Sequence, residues 1–419
     1  MPSFWHEICS LKSPSTTFPA CSENSLHVKK TDYAGIPDMD SGKPCRRFWF
    51  RTIRPAFPSP EDTQVKDQLK PLLEDKTYLR HFWHPVCTLN EFERANASGH
   101  GPMGVTLLGE KLVLARLNSK IIAAADRCAH RSAQLSIGRI CSNAGKDYLE
   151  CPYHGWRYDE AGACQLIPAC PDKSISPRAK ISSFDCEVKY DIVWVRLDNS
   201  FDCTQIPYLS DFDNPDMQVI VADSYIWETV AERRWENFTD FSHFAFVHPG
   251  TLYDPFFASH PTVYVNRVDG ELQFKLAPPR EMKGIPPEAP MGDFNYRCTM
   301  PYSVNLEIKL WKDDSRFVLW TTASPVDNKS CRNFMIIVRE KDNQPDHMHL
   351  AFQKRVLDED QPVIESQWPL EIQTSEVSVA TDKISIQFRK WHKELSLAAV
   401  EGREAFCDSV LTNVIEEEQ

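Results

Sequence analysis

The 419-residue sequence lacks any hydrophobic run long enough to cross a membrane, and its longest apolar runs, such as Ile121–Ala125, fall far short of the roughly 20 residues that a span needs. It also lacks a secretory signal, because no apolar core near the N-terminus precedes a small-residue cleavage site. Basic residues are not in excess: the formal net charge is −12, which disfavours a clamp for nucleic acid. We therefore expect a globular cytoplasmic protein with no membrane span and no nucleic-acid partner.

A glycine-rich dinucleotide fingerprint is not found either. If the protein uses electrons from NAD(P)H, a separate protein has to deliver them. Cysteine, by contrast, is plentiful, with fourteen residues. Without a secretory signal these cysteines are best interpreted as reduced thiols. Only Cys128 and Cys151 have the spacing of metal ligands.

Two short segments each supply one cysteine and one histidine. Cys128-Ala129-His130 comes first, and Cys151-Pro152-Tyr153-His154 follows it. Two thiolates on one iron and two imidazoles on the other form the ligand set of a Rieske [2Fe–2S] cluster. The same four ligands could hold zinc tetrahedrally. Gly155-Trp156 favours the cluster, because glycine permits a tight turn and tryptophan can shield one side.

The pattern along the chain predicts three regions. Residues 1–75 resemble an irregular extension, in which the basic aromatic segment Arg46–Arg51 is either a docking or targeting element or simply packed on the surface. Residues 76–180 are rich in predicted strands, and the two Cys/His loops lie at the tips of a small antiparallel sheet. Residues 181–419 predict an antiparallel sheet with helices. The predicted strands are Gly109–Arg116, Lys120–Asp126, Tyr148–Glu150, Trp156–Tyr158, Cys164–Ile167, Gln218–Val230, Thr262–Leu276, Ser303–Lys312, Arg316–Ser324 and Arg332–Arg339; the predicted helices are Trp235–Val247, Met348–Trp368 and Val377–Val400.

A cluster that carries one electron needs an acceptor, and a second constellation offers one. His243 and His248, with a carboxylate, would leave open positions on a mononuclear iron. On an ideal helix Asn237, Asp240 and His243 share one face, whereas His248 points about 140° away from His243. Both histidines can bind one metal only if the helix bulges or ends between them. Taken alone, the pair could also be ordinary core or surface histidines.

The carboxylate ligand should lie far downstream, in the acidic segment Leu357–Glu365. Asp360 shares a part-apolar helical face with Leu357 and Ile364, so it is the preferred ligand. Glu359 and Asp358 are the alternatives. A different interpretation makes Asp360 a helix cap, since Pro362 is well tolerated in a first helical turn.

These residues resemble the catalytic alpha subunit of the Rieske non-haem iron oxygenases from about Tyr78 to the C-terminus. The spacing Asn237-x-x-Asp240-x-x-His243-x4-His248 is similar to that of the vanillate and dicamba O-demethylase branch. The segment is also similar to cyanobacterial members, including the saxitoxin-tailoring hydroxylases and pheophorbide oxygenase-like proteins. Ala133 and Tyr153 occupy the positions at which respiratory Rieske proteins carry an extra disulfide.

The resemblance implies an α+β fold, in which an N-terminal all-β Rieske domain precedes a helix-grip (START-like) catalytic domain with an antiparallel sheet. It also implies a head-to-tail homotrimer in which electrons cross from the cluster of one subunit to the iron of its neighbour. Asp240 matches the carboxylate that bridges a cluster histidine, here His154, to an iron histidine, here His243. The implied cofactors are the [2Fe–2S] cluster and mononuclear Fe(II), with O2 as cosubstrate and NAD(P)H acting through a separate reductase or ferredoxin.

The predicted activity is that of a terminal monooxygenase, which hydroxylates or oxidatively demethylates a small organic substrate. A cis-dihydroxylating dioxygenase or a desaturase of the same family is the alternative within enzymes. A Rieske electron carrier fused to a ligand-binding domain is the alternative of a different class. We expect the pocket walls to come from strands between about 260 and 340 and from the Phe-rich helix. Met300, Trp311, Phe317 and Trp320 indicate either an aromatic guest or sheet core.

Overall fold

The computed structural model describes residues 71–415 with the exception of 74, 98–100, 253–262, 279, 281–282, 286–288 and 342–343. Nearly all of the extension predicted for residues 1–75, including Arg46–Arg51, lies outside the described residues. In the part of the chain that the structure does describe, the fold is α+β, as predicted. None of the helices described there is both long enough and apolar enough to cross a membrane.

The first half of the described chain is mainly β-structure. A six-stranded antiparallel sheet has the order β1-β10-β9-β4-β3-β2, and a four-stranded sheet has the order β5-β6-β7-β8. The only α-helix of this region is α1 (Leu89–Ala97). The strands are β1 His84–Thr88, β2 Met103–Leu107, β3 Glu110–Leu117, β4 Lys120–Ala125, β5 Arg139–Asn143, β6 Lys146–Glu150, β7 Arg157–Tyr158, β8 Cys164–Leu166, β9 Ser183–Lys189 and β10 Ile192–Arg196.

The second half is built on a large antiparallel sheet with the order β11-β18-β17-β16-β15-β14-β13, in which β12 also pairs with β18. Its strands are β11 Met217–Val221, β12 Tyr225–Trp227, β13 Asn266–Val268, β14 Glu271–Leu276, β15 Gly292–Thr299, β16 Ser303–Leu310, β17 Arg316–Pro325 and β18 Cys331–Glu340. The helices are α2 Ala231–Thr239, α3 Phe244–Val247, α4 Asp346–Ile364, α5 Lys383–Glu401 and α6 Arg403–Leu411, with 3-10 turns at Thr77–His81 and Ala380–Asp382.

The two faces of the large sheet have different neighbours. On one face Trp320 lies beside Trp194 of the first region, with ring centroids 6.0 Å apart, in a buried cluster shared by both regions. Side chains of the other face pack against the helices; Trp235 of α2, for example, stacks on Phe388 of α5 at 3.7 Å. Strand alternation produces this division, because successive side chains point to opposite faces. The second face therefore carries the helices that hold the histidine pair.

Several predicted elements are confirmed, and others are wrong in extent. The hairpin of β3 and β4 turns at Asn118 and Ser119 with positive φ angles of 48° and 70°, as the two-residue turn predicted. The strand expected over 218–230 is two strands, and the one expected over 262–276 is a hairpin that turns at Asp269-Gly270. Strands β1, β2, β5, β9, β10 and β15 and helices α1 and α6 were not predicted. The predicted domain boundaries stay a prediction; β9 and β10 of the six-stranded sheet follow residue 180.

Two expectations about glycine and cysteine need correction. Gly99, Gly101 and Gly104 do satisfy the bare G-x-G-x-x-G spacing. In the described part, however, the segment leads into strand β2 rather than a helix, which is the wrong context for a dinucleotide. Cys203 and Cys407 form a disulfide with Cα atoms 5.6 Å apart, so the interpretation of every cysteine as a reduced thiol is wrong for this pair.

Candidate metal centres and the cavity between them and the sheet

The first Cys/His loop joins β4 to β5 and is tied down by a buried carboxylate. Asp126 accepts hydrogen bonds from the backbone amides of Leu135 and Ser136, both at 2.7 Å, and from the Ser136 hydroxyl at 2.6 Å. Within the loop, the Cys128 amide donates to the carbonyl of Ala133 at 2.9 Å. These bonds close a compact loop around a buried Cys128 side chain.

The second loop joins β6 to β7 and turns through Gly155. The φ of Gly155 is +69°, and a Cβ there would lie 3.1 Å from the Pro168 ring, so both conformation and space favour glycine. The Cys151 amide donates to the Trp156 carbonyl at 2.8 Å, and Gly155 donates back to Cys151. The side chain of Cys151 is buried, like that of Cys128.

The four predicted cluster ligands project from these two neighbouring loops. The imidazole rings of His130 and His154 lie with centroids 4.7 Å apart, and Trp156 stacks on His130 at 4.7 Å. The His130 Nδ1 atom is buried and makes no hydrogen bond, as expected of a nitrogen whose lone pair is reserved for a metal. Two buried thiols and two imidazoles therefore fit a [2Fe–2S] core. The side chain of His154 is exposed to solvent, and so is that of the neighbouring Tyr153.

The second predicted set also converges. Ligand atoms of His243, His248 and Asp360 all lie within 4.8 Å of one another. Asp360 Oδ1 is 3.0 Å from His248 Nε2 and 3.4 Å from His243 Nε2. The helix predicted over 235–247 is wrong in extent, because α2 ends at Thr239. His243 precedes the short helix α3 and His248 follows it, so the break between them lets both rings face one point.

Asp240 explains where α2 ends. The backbone of Asp240 is extended (φ −86°, ψ 136°). Its carboxylate accepts hydrogen bonds from the backbone amides of Ser242 at 2.9 Å and His243 at 3.2 Å. The same carboxylate is 3.0 Å from His243 Nδ1. Asp240 thus stops one helix, starts the next and orients the first histidine. Its predicted bridge to a neighbouring subunit stays a prediction.

Glu359 plays the equivalent part for the second histidine. Its carboxylate accepts from His248 Nδ1 at 2.8 Å and from the Thr251 hydroxyl at 2.7 Å. With Nδ1 donating, the neutral tautomer of His248 leaves the Nε2 lone pair facing Asp360. Glu359, weighed in the sequence as an alternative ligand, lies on the far side of the imidazole. Asp358 is exposed and pairs with Lys354.

The arrangement calls for a cation. His248 Nε2 is buried and 3.0 Å from Asp360 Oδ1, yet it makes no hydrogen bond, because two acceptors face each other there. Burial lowers the pKa of His243, but hydrogen bonds to Asp240 and Asp360 outweigh it and raise that pKa to about 9. Burial raises the pKa of Asp360, but the two histidines bring it well below its usual range. Two imidazoles and one carboxylate fit a mononuclear iron.

Asp360 lies inside α4, two residues before Pro362 in the last turn of the helix. The alternative interpretation, in which Asp360 caps a helix that starts near Pro362, is therefore wrong. Asn237 of α2 donates from Nδ2 to Asp360 Oδ1 at 3.0 Å and connects the two helices.

A cavity opens onto this triad. Its wall is mostly apolar and comes from one face of β15 to β18, from α2 to α4 and from nearby loops. The strands and the Phe-rich segment were predicted to form this wall, whereas the contribution of α4 was not. Of the side chains singled out in the sequence, Phe238 and Phe244 line it, whereas Met300, Phe317 and Trp320 belong to the sheet core and Trp311 lies elsewhere. The lining residues used below are Arg234, Asn237, Phe294, Tyr296, Thr321 and Gln353.

Sequence reasoning missed two residues at the metal centres. Tyr158 places its hydroxyl 3.0 Å from Cys128 Sγ, and this hydroxyl accepts from the Ala129 amide at 3.2 Å. Arg234 lies beside Asn237 in the cavity wall. The position of Tyr158 on the strand that leaves the second loop was a usable signal. For Arg234 the sequence offered none beyond its place one helical turn before Asn237.

Comparison with known proteins agrees with this geometry. Residues 82–185 match the family model of the Rieske [2Fe-2S] domain, and residues 227–398 match that of the vanillate O-demethylase oxygenase C-terminal domain. The methylxanthine N3-demethylase NdmB of Pseudomonas putida is 98% identical over 355 residues, which cover 85% of this chain and 100% of that protein. The chain belongs to the Rieske non-haem iron oxygenases.

Other relatives extend the comparison. The methylxanthine N1-demethylase NdmA of Pseudomonas putida is 50% identical over 83% of this chain and 97% of that protein. A solved structure of NdmA with caffeine has a TM-score of 0.78 and covers 82% of this chain and 98% of its own. A structure of dicamba monooxygenase bound to dicamba, at 19% identity and a TM-score of 0.62, covers 77% of this chain and 99% of its own and shares the fold.

Membership of this Rieske oxygenase family settles the class of reaction. The protein is an oxidoreductase, a terminal monooxygenase that uses O2 and externally supplied electrons on a small organic substrate. Its cofactors are a Rieske [2Fe–2S] cluster and a mononuclear iron, and NAD(P)H acts through a separate reductase. The predicted monooxygenase is thereby confirmed over the electron-carrier alternative.

Proposed function

We propose that this protein removes the N3-methyl group of methylxanthines by oxidative demethylation. The observation that carries the proposal is an apolar cavity that opens directly onto the convergent atoms of His243, His248 and Asp360. The relation to an N3-demethylase over that protein's whole length supports the choice of substrate. A planar, largely apolar ring system fits such a cavity if a few polar groups fix its orientation.

Gln353 is well suited to that task. It lies on α4 in the cavity wall and is buried, and its side chain makes no hydrogen bond to another residue in the described part of the chain. A buried carboxamide without a partner costs free energy unless a ligand satisfies it. Its amide can both donate to and accept from the carbonyl and ring-nitrogen groups of a xanthine. Thr321 donates its hydroxyl proton to the Phe334 carbonyl, so its oxygen remains an acceptor.

When bound, the mononuclear iron would supply O2 activation beside the substrate. The residues of the chain hold the iron through His243, His248 and Asp360, and the surrounding Phe side chains keep bulk water out. The N-methyl group loses a hydrogen and gains a hydroxyl. The resulting carbinolamine releases formaldehyde as its C–N bond breaks and the ring nitrogen takes a proton. One O2, two electrons and two protons thus give formaldehyde, water and the demethylated ring.

We further propose that Cys128, His130, Cys151 and His154 hold the cluster in a head-to-tail homotrimer. In this trimer Asp240 connects the cluster of a neighbouring subunit to His243, and electrons pass through this connection. Exposed apolar side chains on two faces support this: Ile137 and Tyr153 lie on the loops of the cluster, and Phe246 and Val377 lie near Asp240. Exposed Arg127 and Arg131 beside the cluster complement the carboxylate of Asp240. We place the trimer in the cytoplasm, where NAD(P)H is available.

The substrate is tested with xanthines that carry one methyl group at N1, N3 or N7. The protein is supplied with O2, NADH and a Rieske oxygenase reductase, and formaldehyde and demethylated product are quantified. We expect formaldehyde in equal amount to xanthine from the N3-methyl compound. Preferential release from N1 or N7, or ring hydroxylation without formaldehyde, would overturn the proposal. Iron analysis should find a third iron per chain beyond the cluster.

A further inference from the structure

The guanidinium of Arg234 is buried without an ionic partner. Only 3% of Arg234 is exposed. Among the residues that the structure describes, no carboxylate lies within ion-pair distance of it. The other deeply buried arginines differ: Arg233 pairs with Glu376, Arg267 with Glu394 and Arg339 with Asp346. Burying an unpaired charge is unfavourable, so an arginine at this position calls for a reason.

The contacts of Arg234 point toward the metal triad. Its guanidinium lies between the rings of Trp227 and Phe238, 4.8 Å and 5.3 Å from their centroids. Nη1 is 3.4 Å from Asn237 Oδ1, Nη2 is 3.4 Å from the Tyr225 hydroxyl, and Nε has no hydrogen-bond partner. The aromatic faces hold the guanidinium so that Nη1 faces Asn237 and Nη2 faces Tyr225.

Asn237 continues this path to the predicted iron ligand. Its Nδ2 donates to Asp360 Oδ1 at 3.0 Å. A carboxamide has two orientations that differ by exchange of oxygen and nitrogen. The guanidinium can only donate and the Asp360 carboxylate can only accept, so both favour the orientation in which Oδ1 faces Arg234 and Nδ2 faces Asp360.

We propose that Arg234 is a positioning residue for the mononuclear iron, acting through Asn237 on Asp360. The proposal rests on the ligand set proposed above. Arg234 locks the carboxamide of Asn237, and the locked carboxamide holds one oxygen of Asp360 by a hydrogen bond. Outer hydrogen-bond partners of this kind orient metal ligands and tune the metal, and their loss typically lowers metal affinity about 10–100-fold.

The test is a double-mutant cycle that contains no substrate. Wild-type protein, Arg234→Met, Asn237→Ala and the double variant are depleted of mononuclear iron with the cluster retained, then titrated with Co(II). The oxidised cluster is silent in EPR, so the high-spin Co(II) signal reports the mononuclear site alone. We expect each single variant to bind Co(II) about 10-fold more weakly with an altered signal. The double variant should bind no more weakly than Asn237→Ala, since both residues act on one path.

Arg233→Met is the matched control. It removes the neighbouring buried arginine of the same helix, whose partner Glu376 is not a predicted ligand. It should lower thermal stability and leave the Co(II) affinity and EPR signal unchanged. Arg234→Lys keeps the charge but not the planar fork, and it should lose Co(II) affinity as the Met variant does.

If the losses of Co(II) affinity add in the double variant, or if Arg234→Lys binds Co(II) as wild type does, the positioning role of Arg234 is overturned. The proposed ligand set would not be affected by either result. A wild-type protein that takes up no Co(II) with the ligands intact would overturn the ligand set and this inference together. Because no xanthine is present, neither result depends on whether N3-demethylation is the activity.

Discussion

Each predicted iron histidine is oriented by a carboxylate on its far side. Asp240 accepts from His243 Nδ1, and Glu359 accepts from His248 Nδ1. In both cases the Nδ1 hydrogen bond leaves Nε2 to face Asp360. Such pairs fix the tautomer and ring angle and make the imidazole a better donor to a metal. The surroundings of the two carboxylates differ: Glu359 accepts a hydrogen bond from the Thr251 hydroxyl, whereas the side chain of Asp240 is partly exposed to solvent.

Glu359→Gln should weaken iron binding. The amide can present its NH2 group to His248 Nδ1, which favours the tautomer whose proton is on Nε2 and so points at the metal. We expect iron affinity to fall by about 10–100-fold while the cluster absorbance stays unchanged. Iron content after dialysis, measured beside cluster absorbance, checks this.

Asp358→Asn is the control for that variant. The neighbouring carboxylate is exposed and pairs with Lys354 one turn earlier. Its loss should leave the iron content intact. Full retention of the third iron in Glu359→Gln would contradict the role assigned to Glu359.

Asp240→Asn should separate iron binding from electron delivery. The single asparagine oxygen can accept from both the amide and Nδ1 of His243, which keeps the His243 tautomer, although the Ser242 hydrogen bond is lost. The side chain lacks the negative charge that couples two imidazoles. We expect cluster colour and iron content to persist largely intact, while turnover falls about 100-fold, the upper end of the effect of losing a partner that orients a metal ligand. Stopped-flow reoxidation of the reduced cluster, with substrate and O2 present, is the measurement. A wild-type reoxidation rate would refute the bridging role.

At the scale of elements, helix α5 buries a histidine that the catalytic chemistry does not use. His392 accepts from the Tyr78 hydroxyl at 2.5 Å and lies near the buried Glu232, which pairs with Lys76. Burial lowers the pKa of His392 to about 4. Between pH 6.5 and pH 4 the unfolded chain binds this proton and the folded chain does not. Folding free energy is therefore lost as the pH falls through that window.

His392→Gln should reduce the sensitivity of the fold to acid. From pH 7.5 to pH 5 the wild-type residue costs about 2 kcal/mol, since the loss approaches 1.36 kcal/mol per pH unit below the unfolded pKa. The variant should be less stable at pH 7.5, yet lose about that much less on acidification. Urea unfolding of wild type and variant at pH 7.5 and at pH 5 tests this prediction, and the substitution His347→Gln at an exposed position is the control. An acid loss equal to that of wild type would contradict the assignment to His392.

The elements also show how far sequence reasoning reaches. Cys128, His130, Cys151 and His154 lie in two short loops, so their spacing alone carried the cluster prediction. Asp360 was predicted because helical periodicity places it on an inward face, and it is buried there beside the two histidines. The end of α2 was missed, since it depends on the Asp240 carboxylate capping the next turn. The Asp269-Gly270 turn was missed although that dipeptide is a strong hairpin signal.

Contacts between distant segments set the limit of such prediction. Glu359 reaches His248 across 111 positions, and Asn237 reaches Asp360 across 123. Nothing in the local pattern distinguishes an acidic residue that binds a metal from its neighbour that orients a histidine. Likewise, strand alternation could not tell which face of the large sheet packs on the first region, so Trp320 appeared equally suited to pocket and core.

At the scale of the whole molecule, the proposed trimer makes two defective chains able to repair each other. One variant, Cys128→Ser, would lack a working cluster and keep its iron site. The other, His248→Ala, would keep its cluster and lose its iron. Each alone should be inactive. In mixed trimers an active site forms wherever an intact cluster adjoins an intact iron site of the next subunit.

Every closed head-to-tail ring of three that contains both variants has one such junction, about one third of its junctions, whichever variant is present twice. Co-expressed, differently tagged variants purified through both tags should therefore demethylate substrate at a substantial fraction of the wild-type rate. Mixing the two purified variants without reassembly serves as the control and should give no activity. If the doubly tagged trimers are also inactive while each variant retains its own intact centre, electrons do not cross between subunits, and Asp240 cannot be the bridge to a neighbouring cluster.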